Sequence, residues 1–278
     1  MRVASLHIHP VKGMRALDVA AARIEARGLA DDRRWLAVDA DGVFLTQRSH
    51  PQMATMTARP TPAGLALAAD GFGSIEIERP TGGARRRVIV WDAEIDAAAS
   101  DSAASAFLSD LIGEEAHLVY MDETALRRKT SVWTPAPVPV SFADAFPVLV
   151  ATTGSLAALN RDIKAHGGDA VPMARFRPNI VIDCDEPWAE DRWDRLQIGE
   201  VALDLVKPSD RCIVTTTDQQ TGKRMGKEPL AALARIHRST DPRINGVIFG
   251  ENAVPQSFGI IKSGDPVAVL PASAPSPA

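Results

Sequence analysis

The sequence has 278 residues, of which 45% are hydrophobic and 24% are charged, and this composition excludes a disordered or fibrous protein. Its 31 Lys and Arg against 35 Asp and Glu give a formal net charge of -4, which argues against general nucleic-acid binding because phosphate backbones attract dense positive surfaces. The two cysteines, Cys184 and Cys212, are too few for a four-cysteine iron–sulfur cluster, a zinc ribbon or a disulfide scaffold, so redox chemistry would need another carrier.

The beginning of the sequence predicts a β-strand and no targeting segment. Leu6 and Ile8 alternate with histidines until Pro10 ends the strand, and no apolar stretch typical of a signal peptide precedes that proline. Further along, no run of eighteen apolar residues occurs. We therefore expect a cytoplasmic protein that does not cross a membrane.

Frequent Gly and Pro and short alternating apolar stretches predict a mainly β protein with minor α content. Residues 33–48 predict a hairpin that turns at Asp41-Gly42, a pair typical of type I′ turns because both central residues of such a turn need positive φ. Further strands are predicted over residues 63–68, 74–78, 86–96 and 265–270.

Two segments predict helices. Residues 102–113 and 155–168 carry Leu, Ile and Ala at spacings of three and four, and the second segment ends in a Gly pair suited to a helix C-terminus. Between them, residues 134–140 contain three prolines and predict an extended connector or edge strand at the seam of two halves. Residues 271–278 lack large apolar groups and predict a disordered tail.

Cys212 has two possible roles on the sequence alone. A turn-favouring Ser-Asp pair precedes it and a β-branched run follows it, so we expect it where a loop enters a strand. Arg211 beside it would stabilise a thiolate, the form that attacks electrophiles or binds metals. Equally, Cys212 can be a small buried side chain. Cys184 has acidic neighbours and is expected to be structural.

Basic residues stand near predicted strand ends. Lys12 follows the first strand, Arg33 opens the next one, and Arg177 lies just ahead of a buried-looking strand. Arginine can bind a phosphate through two hydrogen bonds and lysine as a point charge, whereas a single basic residue more often forms a surface ion pair. Asn179 lies one strand period from Arg177, so we expect both side chains on one face.

Ten strings carry a family resemblance, in a fixed order from about residue 1 to 270. They are HPVKGM, GLADDRRW, DGVFLTQRSHPQMA, SFADAFPVLVATTGSLAALN, RFRPNIVI, PWAEDRWDRLQIGEVAL, SDRCIVTTTDQQTG, KEPLAALA, FGEN and IIKSGDPVAVL. The chain resembles the MOSC family with its N-terminal β-barrel partner domain, and within it the molybdenum-dependent reductases of N-hydroxylated compounds.

The resemblance implies two β-barrel-like domains with a cofactor cleft between them. It places the N-terminal domain at residues 1–100, a helix and Pro-rich connecting region at 101–140, and the MOSC domain at 141–270. In the family a pyranopterin dithiolene holds molybdenum in the cleft, and the cysteine of the Arg-Cys-Ile motif, here Cys212, is the metal ligand and the catalytic residue. The phosphate and pterin contacts would fall on Lys12, Arg33, Thr152, Ser155, Arg177, Asn179 and Arg211.

The chain departs from the family at Gly13, where relatives often have a polar residue after the lysine, so position 13 would offer only backbone contacts. The leading hypothesis is a reductase that removes oxygen from amidoximes, hydroxylamines or N-hydroxylated bases. Electrons would come from a separate ferredoxin, flavoprotein or small haem protein, since the chain has no cysteines for its own cluster.

Two other classes of function stay open. A cofactor carrier or sulfur-transfer module could pass persulfide sulfur through Cys212. A plain β-barrel binding module would leave the basic residues as ordinary ion pairs. Glu190 and Asp191 fit a solvated pair, an arginine partner or a catalytic pair, and Trp188 and Trp193 are expected to pack the cores.

Overall fold

The computed structural model describes residues 1–271, which form twenty β-strands and three α-helices. In chain order the strands are β1 Arg2–Ile8, β2 Leu17–Val19, β3 Ala21–Glu25, β4 Gly28–Leu29, β5 Trp35–Asp39, β6 Thr57–Pro60, β7 Gly64–Ala69, β8 Gly73–Glu78, β9 Arg85–Val90, β10 Ala93–Ala99, β11 Ala116–Tyr120, β12 Arg128–Lys129, β13 Val138–Pro139, β14 Val148–Thr152, β15 Ile180–Asp183, β16 Arg195–Ile198, β17 Val201–Asp210, β18 Ile248–Pro255, β19 Gly259–Lys262 and β20 Val267–Leu270. The helices are α1 Ser102–Ile112, α2 Thr153–Ala165 and α3 Leu230–Ile236. The predicted mainly β class is confirmed.

An eight-stranded sheet, in the order β2-β1-β15-β14-β18-β17-β16-β20, forms the larger part of the molecule. Its pairs are antiparallel except β14 and β15, which run parallel and are joined through α2. Parallel neighbours need such a crossover because their ends lie at opposite edges of the sheet. Helices α2 and α3 cover one apolar face, where Leu159 and Leu233 are fully buried in a shared cluster.

The first 30 residues belong to the sheets of the C-terminal half. Strand β1 pairs with β15 and β2, and β3 pairs with both β19 and β4. Ile24 of β3 and Ile261 of β19 are both fully buried in the core on the other face of the large sheet. The grouping of strands into sheets therefore differs from a simple division along the chain, and the domain boundaries given above stay a prediction.

Residues 35–121 form a second unit around a separate core. A four-stranded sheet, β5-β11-β10-β9, and a three-stranded sheet, β6-β7-β8, enclose apolar side chains that α1 covers. Helix α1 begins at the N-cap Asp101, which accepts a hydrogen bond from the Ala104 amide at 2.7 Å, and ends at Gly113 with a φ of 88°. Both features favour a helix over the predicted residues.

Three other predicted elements differ in detail. At the 33–48 hairpin, Gly42 has a positive φ and Asp41 does not, since the Asp39 carboxylate accepts hydrogen bonds from the amides of Asp41 and Val43 and shapes a longer turn than type I′. The strand predicted over 86–96 is two strands, β9 and β10, with a turn at Trp91 between them. The sequence predicts a single strand because its apolar alternation continues through that turn. The run after Cys212 is a 3₁₀ helix, described below.

The remaining predictions concern the connector and the tail. Within the Pro-rich stretch, β13 pairs with β12 as a short two-stranded sheet, which confirms an extended segment there. Trp188 and Trp193 pack against apolar clusters, as expected. The tail predicted at 271–278 lies, apart from Pro271, outside the described residues.

Candidate functional site

A cleft of about 520 Å³ opens between the two units and is lined from both. Its charged lining residues are mostly basic: Lys12, Arg33, Arg48, Lys129, Arg175, Arg177, Lys207 and Arg211, with the acids Asp144 and Asp210. Low-dielectric walls of one charge sign focus the field inside a cleft. The arrangement therefore favours an anionic ligand.

Cys212 lies in this cleft with its side chain half-buried. It follows β17 and caps a 3₁₀ helix, Ile213–Thr216, where sequence analysis predicted a strand. The hydroxyls of Thr215 and Thr216 donate to the carbonyls of Cys212 and Ile213, at 2.9 and 2.7 Å, which stabilises the tight turn against the strand tendency of β-branched residues. The turn directs the sulfur toward the cleft rather than into the apolar core.

Lys12 enters the cleft from the loop after β1 and is 5% exposed. Its Nζ donates to the Phe142 carbonyl at 2.8 Å and to Asp144 Oδ1 at 2.5 Å. Burial lowers the pKa of Lys12 to about 8, although Asp144 opposes that shift. Burial by itself would raise the pKa of Asp144, but Lys12 and Arg33 outweigh it and hold that pKa below its usual range. The ion pair thus favours the charged forms of both Lys12 and Asp144 in the cleft.

Three protein groups hold the Arg33 guanidinium in place. Its guanidinium pairs with the fully buried carboxylate of Asp32, and it also donates to Asn179 Oδ1 and the Arg177 carbonyl, each at 3.3 Å. Burial would raise the pKa of Asp32, but the charge of Arg33 and hydrogen bonds with His9 outweigh burial and lower it to about 2. Asp32 therefore stays ionised and fixes Arg33 at the wall of the cleft.

Arg177 and Arg211 have buried nitrogens without protein partners. Arg177 Nη1 donates to Gln219 Oε1 at 3.0 Å, and Arg211 donates to the Ser209 hydroxyl and the Phe176 carbonyl at 2.7 and 2.5 Å. Among the described residues, nothing accepts from Arg177 Nη2 or Arg211 Nε. Burial lowers the pKa of Arg177 to about 9 and that of Arg211 to about 10. Buried donors of this kind fit an anionic ligand that would accept from them.

Asn179 lines the cleft but its amide is used by the protein. Oδ1 accepts from the Leu149 amide at 3.1 Å and Nδ2 donates to the His7 carbonyl at 3.2 Å. The expected strand face is wrong, because Arg177, with a φ of 56°, and Asn179 both lie before β15 begins, but both residues do line the cleft. Asn179 instead ties β1 to β14 beneath the site.

Thr152 and Ser155 lie outside the cleft, and both side chains are fully buried. Their hydroxyls donate to Glu190 Oε2, each at 2.8 Å, and Thr152 also caps α2. Burial raises the pKa of Glu190, so the carboxyl is neither the solvated nor the arginine-paired group considered above. The structure therefore does not bring this pair to the other predicted contacts, because the N-terminus of α2 turns toward Glu190.

The backbone conformation at position 13 requires a glycine. Its φ is 85°, and an added Cβ would lie 3.0 Å from the Met53 side chain. The Gly13 carbonyl accepts from Gln47 Nε2 at 2.7 Å, so this position offers the cleft only backbone. A side chain at position 13 would need this turn to rearrange.

The cleft residues that sequence analysis missed include Arg48, Trp91 and Asp144. Arg48 Nη2 lies 3.5 Å from Cys212 Sγ, and its guanidinium stacks 4.6 Å above the Trp91 ring. Asp144 bonds both Lys12 and Trp91. Only the Asp144 position carried a signal, as an acid that follows the Pro-rich connector. Arg48 reaches Cys212 across 164 positions of sequence, which no local pattern reveals.

Two further features concern metal ligands and membrane-spanning helices. Within residues 1–271 there is no group of three or more His, Cys, Asp or Glu that could hold a metal ion. Cys212 offers one sulfur among basic residues in the cleft, a set that fits a metal carried by an anionic organic ligand with soft donors. In the same residues no helix has the length and apolar character needed to cross a membrane.

Comparison with known proteins covers nearly the whole chain. Residues 1–115 match the MOSC N-terminal beta barrel domain, and residues 137–268 match the MOSC domain. The chain is 31% identical to mitochondrial amidoxime-reducing component 1 of Homo sapiens over 284 residues, which cover 96% of this chain and 82% of the relative. It is 31% identical to mitochondrial amidoxime reducing component 2 of Bos taurus, covering 95% of this chain and 82% of that relative.

Proposed function

The chain belongs to the MOSC family, together with the amidoxime-reducing components, and we propose that it is a molybdenum cofactor-dependent reductase of N-hydroxylated compounds. One observation carries the proposal: the Cys212 sulfur lines a single cleft together with basic side chains, two of which have buried nitrogens without a protein partner. Amidoximes, hydroxylamines and N-hydroxylated bases are the substrate class that follows.

The basic residues would hold the anionic end of the cofactor. Lys12, Arg33, Arg177 and Arg211 line one cleft, and Arg177 Nη2 and Arg211 Nε are buried donors without a protein partner. Charge-assisted hydrogen bonds strengthen in a site shielded from water. Asn179 and Asp32 support these residues from behind, since both bond Arg33.

Cys212 would bind the metal through its thiolate. A soft sulfur donor suits a metal already held by dithiolene sulfur. When bound, the cofactor supplies a metal centre that accepts the oxygen of an N–O bond and is reset by two electrons and protons. The chain keeps the thiolate in place with Arg48 on one side and Arg211 beside it in sequence.

Electrons would come from a separate protein. The chain has two cysteines, too few for an iron–sulfur cluster of its own, so a ferredoxin, a flavoprotein or a small haem protein is the expected donor. The cytoplasmic location expected from the sequence stays a prediction, since the relatives are named mitochondrial.

A molybdenum cofactor carrier or sulfur-transfer module acting through Cys212 is the second candidate. The same half-buried sulfur in a cationic cleft favours it, because a persulfide is passed from an accessible cysteine. The two candidates differ in turnover: a carrier would bind the cofactor and would not reduce N-hydroxylated compounds.

Turnover by the wild-type protein and by Cys212→Ser tests the proposal. Both proteins, purified from a cofactor-competent host, would be assayed with benzamidoxime and reduced viologen, with the amidine as product. We expect turnover by the wild type and a loss of at least about 100-fold in Cys212→Ser, since losing a ligand should exceed the 10- to 100-fold typical of outer-shell changes. Cys184→Ser is the matched control and should keep full activity. Molybdenum-replete wild type without turnover would favour the carrier, and an active Cys212→Ser would contradict the assigned ligand.

A further inference from the structure

Arg48 is a cation aimed at sulfur rather than at a carboxylate. Its Nη2 donates toward Cys212 Sγ at 3.5 Å, and none of the ion pairs among the described residues includes it. A sulfur acceptor allows a longer hydrogen bond than oxygen does. The positive charge of Arg48 is thus directed at one atom of the opposite unit.

The Arg48 backbone is fixed from both sides. Its amide donates to the Thr46 hydroxyl at 3.0 Å, and its carbonyl accepts from Arg224 Nη2 at 2.5 Å. The first bond shapes the local turn, and the second joins it to the segment after Cys212. The side chain therefore starts from a defined position.

Trp91 is the platform on which the guanidinium rests. The Arg48 guanidinium carbon lies 4.6 Å from the ring centroid, a cation–π distance. Trp91 is 43% exposed and has a φ of 59°, which is unfavourable for a bulky side chain and is kept where the surrounding structure enforces it.

Two contacts enforce the Trp91 position. Its Nε1 donates to Asp144 Oδ1 at 3.1 Å, and its ring packs edge-on against Phe44 with centroids 4.9 Å apart. Asp144 in turn pairs with Lys12. A chain of contacts therefore runs from Lys12 through Asp144 and Trp91 to Arg48 and ends at the sulfur.

We propose that Arg48 is a positioning residue that orients the Cys212 sulfur and places a positive charge beside it, and that Trp91 holds Arg48 in place for this role. The inference deepens the proposed function and rests on it for its use in catalysis. A hydrogen bond to a ligating sulfur reduces the charge it donates and makes a bound metal easier to reduce. The interaction itself belongs to the protein and can be measured without a cofactor.

The test compares two alkylating reagents on full-length, cofactor-free protein. Iodoacetate is anionic and iodoacetamide is neutral, so the rate with iodoacetate divided by the rate with iodoacetamide at Cys212 reports the local charge. The fraction of Cys212 present as thiolate affects both rates equally and cancels in this ratio. Mass spectrometry of the Cys212 peptide separates it from Cys184. We expect Arg48→Gln to lower the ratio about 5-fold, the factor for a unit charge about 4 Å away in a solvated cleft.

Further variants separate positioning from general damage. Arg48→Lys should keep most of the ratio, Trp91→Ala should lower it, and Trp91→Phe should lower it less because a ring face remains. Arg86→Gln is the matched control, since Arg86 lies on β9 of the same unit and does not line the cleft. Circular dichroism checks that each variant is folded.

An unchanged ratio in folded Arg48→Gln would overturn the proposal, and so would an equal fall in Arg86→Gln. An unchanged ratio in Trp91→Ala would remove the platform role. Failure of the proposed function gives a different result: the ratio would respond as described while the wild type holds no molybdenum and reduces no N-hydroxylated compound.

Discussion

Strand β18 separates a region with buried basic side chains from a region with buried acidic side chains. Asn252 lines the cationic cleft, while its neighbour Glu251 is electrostatically coupled to Glu190 and Asp191 on the other side of the strand. Both regions contain buried polar atoms without protein partners: Arg177 Nη2 and Arg211 Nε in one, Glu190 Oε1 and Glu251 Oε1 in the other.

The difference lies in what each region borders. The arginines face a cleft of about 520 Å³, whereas Glu190 and Glu251 do not line it and are 0% and 4% exposed. Burial, together with Asp191 and Glu190, raises the pKa of Glu251 to about 9, so it carries a proton at neutral pH. Arginines that line a cleft can meet an anionic ligand there, whereas acids enclosed by protein become neutral and contribute to the fold.

The largest expected effect breaks the cationic side. Arg177→Ala removes a charged donor that lines the cleft and has a nitrogen without a protein partner. We expect the molybdenum content of the purified protein to fall about 10-fold or more, as the loss of one charge-assisted hydrogen bond predicts. The melting temperature of the cofactor-free protein should change little, since burial already disfavours this charge.

Arg235→Ala is the control for that experiment. Arg235 pairs with Asp162 away from the cleft, so its removal should leave the molybdenum content at the wild-type value. Equal molybdenum contents in wild type and Arg177→Ala would remove Arg177 from the site.

The next effect tests the acidic side through pH. Because the pKa of Glu251 is raised from 4.5 to about 9, the folded protein holds a proton that the unfolded chain has lost between those values. The free energy of unfolding should therefore fall by about 1.4 kcal/mol per pH unit as the pH rises through that window, and it is highest below it.

Glu251→Gln mimics the protonated carboxyl and should lose this pH dependence. Urea unfolding at pH 6 and pH 8 would measure it, with Glu200→Gln at an exposed position as the control. Identical pH dependence in the wild type and Glu251→Gln would show that Glu251 is ionised in the folded protein.

The smallest expected effect is a change in stability that shows whether Thr152 belongs to the acidic region or to the cationic cleft. Thr152→Val removes the hydroxyl that caps α2 and bonds Glu190, so we expect a loss of about 1 to 2 kcal/mol in the free energy of unfolding. Thr152→Ser keeps the hydroxyl and should keep the free energy of unfolding of the wild type. Molybdenum per folded chain should be unchanged in both, and a loss of metal at unchanged stability would instead place Thr152 in the cofactor site.

Sequence patterns predicted much of the fold and part of the site. Helices α1 and α2 follow from their periodicity and caps, and Lys12, Arg33, Arg177, Arg211 and Cys212 do line one cleft. The family motif, however, gives nearness in sequence and not the direction of a side chain. Thr152 and Ser155 lie within a matching string and yet point at Glu190.

Other features depend on contacts that no local pattern carries. Arg48 meets Cys212, and Asp144 meets Lys12, only after two units of the chain have packed together. The positive φ of Arg177 and of Trp91 comes from their surroundings, since neither residue favours it. The pairing of β1 with β15 joins residues more than a hundred positions apart, as the register of Leu6 with Ile180 shows.

We propose that the Cys212 sulfur binds a molybdenum ion whose organic ligand is held by the surrounding cations. X-ray absorption spectroscopy at the molybdenum edge counts the sulfur neighbours of that metal directly. We expect one more sulfur neighbour in the wild type than in Cys212→Ser. The same number of sulfur neighbours in both proteins would contradict it.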